Sequence, residues 1–219
     1  MQKLKLLWKP VAIIFFILLI DQIFKVWIKT HFFLDEETTV IKNLFYLHFT
    51  ENNGMAFGYE FGGIYGKLIL STVRLIAVVA IGWYLYVLCI NKASIGLIAG
   101  FSFVLAGALG NIIDSLFYGL LFNESTYFQI AEFLPNSGGY GTFLHGKVVD
   151  MLYFPVIKGH FPGWFPLWKN EMFTFFRPIF NISDSSITIG VIYMILFQRK
   201  FFVQTKSLEN EVNNSSEDK

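Results

Sequence analysis

Residues 95–121 read IGLIAGFSFVLAGALGNIIDSLFYGLL. A helix rises 1.5 Å per residue, so this mostly apolar run can cross about 30 Å of hydrocarbon. Three further runs have the same capacity: Leu7–Ile28, Leu68–Ile90 and Pro178–Phe202. Asn91–Ser94 is short and polar and reads as a tight turn between the second and third runs. The expected fold class is a mainly α membrane protein. It has four transmembrane helices, a small extracytoplasmic β-cradle and an interfacial segment.

Composition supports this class and excludes others. The chain has 219 residues, 54% of them hydrophobic, and a mean hydropathy of +0.53. That is more apolar material than one soluble core needs. The net charge is +1 and no basic stripe is present, which excludes a nucleic-acid partner. Cys89 is the only cysteine, so neither a disulfide framework nor a cysteine zinc site is expected, and its thiol reads as a packing group. Near the start, Lys3, Lys5 and Lys9 precede the apolar Val11–Ile20, as in a signal peptide. The run continues to Ile28, however, carries Asp21 and Lys25, and shows no small-residue cleavage site. An uncleaved anchor is expected.

An even number of spans puts both termini on one side. Lys3, Lys5, Lys9, Lys92, Arg199, Lys200 and Lys206 fall on that side, which the positive-inside rule assigns to the cytoplasm. Residues 30–66 and 122–177 then lie outside. The first carries alternating apolar positions (Val40, Leu44, Tyr46, His48) and reads as short strands. The second includes Gly138-Gly139 and the aromatic stretch Phe161–Phe165, which reads as an interfacial segment. Residues 1–203 are expected to form one integral membrane domain, and 204–219 a disordered cytoplasmic tail.

Ionisable groups inside a membrane protein are functional candidates by default. Asp21 lies in the outer half of the first span, and Asn111 and Asp114 near the outer end of the third. Asn181 and Asp184 open the fourth, and Asp150 falls in the loop before it. All converge at similar depth near the outer face. Gly107, Gly110, Asn111 and Asp114 share one helix face by three-and-four spacing, with glycines that permit close helix approach. A lone carboxylate can be structural: Asp21 can pair with Lys25, four residues on, and Asp114 can serve as a hydrogen-bonding support. Asp150 and Asp184 have no such partner nearby except Lys147. Two carboxylates brought together share a proton and activate a water, the chemistry of an aspartic protease. The four histidines read as surface or interfacial groups, with His145 near enough to Asp150 to matter. Arg74 reads as a snorkelling or structural cation.

At these residues the chain resembles bacterial lipoprotein signal peptidase, also called signal peptidase II. Asp21-Gln22 with Lys25 resembles its first block, and Glu51–Gly58 its Asn-x-Gly-Ala-Ala-Phe block. Gly107–Asp114 resembles its Gly-Asn-x-Ile-Asp block, Val148-Val149-Asp150 its Val-Val-Asp block, and Phe180–Asp184 its Phe-Asn-x-Ala-Asp block. Ser115 stands where the family usually has Arg, Ser183 and Met55 replace alanines, and the segments on either side of Asp150 are longer than usual.

The resemblance implies a catalytic pair at Asp150 and Asp184. It implies supporting or substrate-binding positions at Asn52, Gly54, Asn111, Asp114, Asn181 and Asp21. No metal or cofactor is called for. The substrate implied is a diacylglyceryl-modified prolipoprotein, cut before its lipidated Cys, in a bacterial inner membrane. Membrane lipids are expected contacts, globomycin-type inhibitors are expected to block the aspartates, and a monomer is expected. Two other readings remain at this level. A proton-coupled transporter would also hold carboxylates in a bundle, although no inverted repeat is visible. A non-catalytic scaffold would need neither aspartate.

Overall fold

The long apolar runs close as helices because a helix satisfies its own backbone polar groups without water. In the computed structural model, which describes residues 2–53, 63–155, 157–160, 172–175 and 178–197, these are α1 (Gln2–Lys29), α2 (Gly63–Ile90) and α3 (Ile95–Ile113). A π-helical turn, Asp114–Tyr118, and a three-residue helix, α4 (Gly119–Leu121), follow α3. Among the described residues, three helical stretches are long and apolar enough to cross a membrane: Leu7–Lys29, Tyr65–Ile90 and Ile95–Leu121.

The fourth expected span differs. Its helix, α5, is described over Ile182–Phe197. It does not begin at Pro178, because Ile179–Phe180 is a strand paired with Tyr153 and Leu152. Those main-chain groups are used in a ladder and cannot start a helix. Residues 198–202 lie outside the described residues.

The helices are apolar outside and polar inside. Phe15, Ile76 and Val79 are 57%, 63% and 65% exposed, whereas Asp21 and Lys25 are fully buried. Water would penalise that distribution and hydrocarbon favours it. The chain is a multi-pass membrane protein.

The chain divides into two compact units. Unit 1 comprises α1 through Gln22, α2 from Leu68, α3 and α5. The expected turn between α2 and α3 is present. Lys92 adopts a left-handed φ of 52°, the Ala93 N–H reaches back to Leu88 O at 3.0 Å, and Ser94 Oγ accepts the Leu97 N–H at 3.3 Å. Small residues let α3 and α5 approach closely. A Cβ on Gly107 would collide with the Ser183 carbonyl oxygen and stand 2.7 Å from Ile187 Cγ1. One on Gly110 would run into Ser183 Oγ. Ser186 Oγ also donates to Phe103 O at 2.7 Å. Gly107→Ala is therefore expected to destabilise the protein by about 1–3 kcal/mol, since the opposing atom is backbone and cannot turn aside. Thermal unfolding in detergent checks this. An unchanged midpoint would contradict the packing.

Unit 2 carries a four-stranded antiparallel sheet in the order β1-β2-β3-β6. The strands are β1 (Glu37–Ile41), β2 (Phe45–Asn52), β3 (Val148–Tyr153) and β6 (Ile179–Phe180). A separate pair, β4 (Ile157–His160) and β5 (Met172–Phe175), is also antiparallel. The expected strands in residues 30–66 are present. Their apolar alternation does not mark the core face, because Val40 and Leu44 are half exposed. An irregularity in β2 between Leu47 and Thr50 resets the alternation and turns Phe49 inward, where it is fully buried. Phe49 packs with Ile28, Phe32, Tyr118, Phe122, Val149 and Met151 in the core of this unit. Asp150, expected in a loop, lies on β3. Val148-Val149-Asp150-Met151 is buried throughout, and a short apolar run of that kind is also what a buried strand looks like. The aromatic stretch 161–165 and the tail from Gln204 lie outside the described residues.

Candidate active site

The expected site residues fall into two constellations, one in each unit. In unit 2, β3 sets Asp150 opposite Thr50 on β2, with Asn52 two residues further along. Residues two apart on a strand share a face, so Asn52 and Asp150 are diagonal neighbours. The Asn52 amide donates to Asp150 Oδ2. The Asn181 amide donates to Asp150 Oδ1 at 2.7 Å and to Val149 O at 3.2 Å. Each carboxylate oxygen of a nearly buried Asp150 thus receives an amide proton.

Asp114 supports the same strand from behind. Its Oδ2 accepts the Val149 N–H at 3.3 Å and pairs with Lys25 Nζ at 2.8 Å. Both side chains are fully buried. Asp114 is therefore a hydrogen-bonding support. Gly146 allows the approach of β3, because a Cβ there would collide with the Asp114 carbonyl oxygen.

In unit 1, Asp184 lies in the first turn of α5, half buried, and its Oδ1 accepts from the Asn111 amide at 2.7 Å. Asp21 Oδ1 accepts the Ser183 N–H at 2.9 Å, so a carboxylate on α1 caps the positive end of α5. Gln22 bridges Asp21 Oδ2 at 3.1 Å and Gly110 O at 3.3 Å. Gly54 lies outside the described residues.

Two nearby residues are engaged elsewhere. Lys147 Nζ lies 3.4 Å from both Glu51 Oε2 and Glu124 Oε1. His145 Nδ1 lies within its own turn, 3.0 Å from Thr142 Oγ1. Among the described residues no group of His, Cys, Asp or Glu is arranged to hold a metal ion.

The sequence reading missed a buried polar cluster around Lys29 and Glu51. Lys29 Nζ bonds Glu51 and, at 2.8 Å, Ser125 Oγ. Tyr140 packs beside it, and burial pushes the Tyr140 phenol well up, so its hydroxyl stays neutral. One signal was available: Lys29 follows Lys25 by one helical turn, on the same face.

Amide-held carboxylates inside a multi-pass membrane protein are what an integral membrane enzyme working through carboxylates would present, and they mark a candidate functional site. Comparison with known proteins makes the class specific. The family model described as Signal peptidase (SPase) II matches residues 13–200, and the chain belongs to that family. It is similar to the lipoprotein signal peptidase of Porphyromonas gingivalis, at 45% identity over 84% of this chain and 80% of the relative. It is also similar to that of Amoebophilus asiaticus, at 34% identity over 89% and 79%. A solved bacterial membrane enzyme, determined by the in meso method at 2.3 Å resolution, matches with a TM-score of 0.56 and 26% identity, covering 88% of each chain.

Proposed function

We propose that this chain is a lipoprotein signal peptidase that hydrolyses the peptide bond before the diacylglyceryl-modified Cys of a prolipoprotein, using a water activated between Asp150 and Asp184. The observation that carries the reading is that each aspartate is buried or half buried and accepts from a neutral amide, Asp150 from Asn52 and Asn181, and Asp184 from Asn111. Asn181 precedes Asp184 by three residues, so the chain links the Asp150 partner to the second aspartate.

In this mechanism the ionised aspartate takes a proton from water as the oxygen attacks the scissile carbonyl carbon. The other aspartate gives its proton to the carbonyl oxygen. When the tetrahedral intermediate collapses, the C–N bond breaks. The proton first taken from water goes to the leaving nitrogen, and the hydroxyl proton returns to the second aspartate. Neutral amides can orient carboxylates without competing for the proton, which ammonium groups would do.

Both termini lie in the cytoplasm and the site lies near the extracytoplasmic face of a bacterial inner membrane, within a single domain spanning 1–203. The lipid anchor brings the scissile bond to membrane depth. Asp21, Asn52 and Gly54 line or support the substrate path, and globomycin-type inhibitors act at the aspartates.

The test uses purified wild-type protein and one precursor prepared with and without the diacylglyceryl group. The expected result is cleavage of the lipidated form alone, with product masses that place the cut immediately before the modified Cys. Cleavage elsewhere, or equal cleavage of both forms, would refute the substrate assignment.

A further inference from the structure

The long segment between Asp114 and Asp150 inserts charged and aromatic side chains against the end of β2. Residues 122–147 fold back on themselves through the Phe122↔Phe133 bridge and the Tyr140 N–H to Phe122 O bond of 2.9 Å. Ser125 Oγ from this segment bonds both Lys29 Nζ, at 2.8 Å, and Glu51 Oε1, at 2.9 Å. Lys147 Nζ approaches the other Glu51 oxygen at 3.4 Å. The Tyr140 ring lies near both ammonium groups, 5.2 Å from Lys29 Nζ and 5.3 Å from Lys147 Nζ. Its hydroxyl accepts the Lys147 N–H at 2.6 Å. The Lys29 side chain is fully buried and that of Glu51 is 2% exposed.

Burying such charges is unfavourable, and well-packed apolar side chains would usually hold a fold as well or better. Their position suggests another use. Glu51 immediately precedes Asn52, and successive residues on a strand face opposite ways. The cluster therefore grips one face of β2, while the other face presents Asn52 to Asp150.

We propose that Lys29, Glu51 and Lys147 form an ionic clamp whose role is to position Asn52, and through it Asp150, for hydrolysis. These are positioning residues, and the inference rests on the two-aspartate reading above. The clamp makes the 122–147 segment part of the catalytic apparatus.

The test is a double-mutant cycle on lipidated-precursor cleavage. It combines Lys29→Met/Glu51→Leu, and separately the milder Lys147→Met, with Asn52→Ala. The paired apolar replacement is expected to keep the thermal midpoint near wild type and lower kcat by about tenfold at unchanged KM. Lys147→Met is expected to lower kcat about threefold. Neither loss should add to that of Asn52→Ala, because both act through the same amide. Wild-type kcat in folded Lys147→Met and in the folded pair would overturn the proposal. So would full additivity with Asn52→Ala, or a loss that only tracks the folded fraction. If the paired variant does not fold, Lys147→Met decides the matter alone. Asp150→Asn, run alongside, separates the two readings: activity in that variant refutes the aspartate mechanism. An inactive Asp150→Asn beside a fully active clamp variant refutes the clamp only.

Discussion

Asp150→Asn and Asp184→Asn are each expected to slow precursor cleavage by at least about 10³-fold, and the double variant to be no slower than either single one. Asn matches Asp in volume and keeps one acceptor oxygen, so at position 150 one of Asn52 and Asn181 keeps its bond while the other must flip to accept from the new amide, and Asn111 still finds an acceptor at position 184. What disappears is the group that takes or gives the proton. Two residues that act as one unit lose most of their effect when either is removed, which is why the second substitution adds little. Initial rates on the lipidated precursor decide the point, with thermal unfolding to establish that each variant is folded. A folded variant that retains cleavage would end the two-aspartate mechanism and turn attention to Asp114 and His145.

Lys25→Met is expected to be the most damaging single change to stability. Lys25 and Asp114 form a fully buried ion pair at 2.8 Å. Removing the ammonium leaves a carboxylate in a low-dielectric interior without that cation, a loss of about 3–5 kcal/mol. The melting midpoint should fall by roughly 10 °C. Adding Asp114→Asn should recover most of the fall, because the uncompensated charge is gone and the Asn oxygen can still accept the Val149 N–H. If the double variant were no more stable than Lys25→Met alone, the destabilisation would have to come from lost packing of the Lys25 stem.

The first three spans were legible because hydrocarbon imposes a length and a polarity that any window of the sequence exposes. The turn at Asn91–Ser94 and the close approach at Gly107 were legible for similar local reasons. The start of α5 was not, because Ile179 and Phe180 are as apolar as the helix that follows. Only their pairing with Tyr153 and Leu152 makes them a strand. Asp150 read as a loop residue because its run is short and its partner strand lies about a hundred residues earlier. At the candidate site, Asp150, Asp184 and the asparagines that bond them stood out as polar groups in an apolar chain. Of Lys29, Glu51 and Ser125, only Lys29 left a trace, one helical turn after Lys25, and nothing local pointed to its partners. Their association spans 22 and 74 residues of sequence. Partner choice over that distance is a property of the packed structure and leaves no local pattern.

The π turn at Asp114–Tyr118 bears on how this chain tolerates changes in length. A π turn holds one residue more than the α turn it replaces. A chain one residue shorter there would close as ordinary helix over the same turn, so Gly119–Leu121 would keep nearly the same bearing. The same deletion in the plain α-helix of α3 would turn the rest of that helix by about 100°. Single-residue deletions between 115 and 118 should therefore be better tolerated than single-residue deletions within Ile95–Ile113.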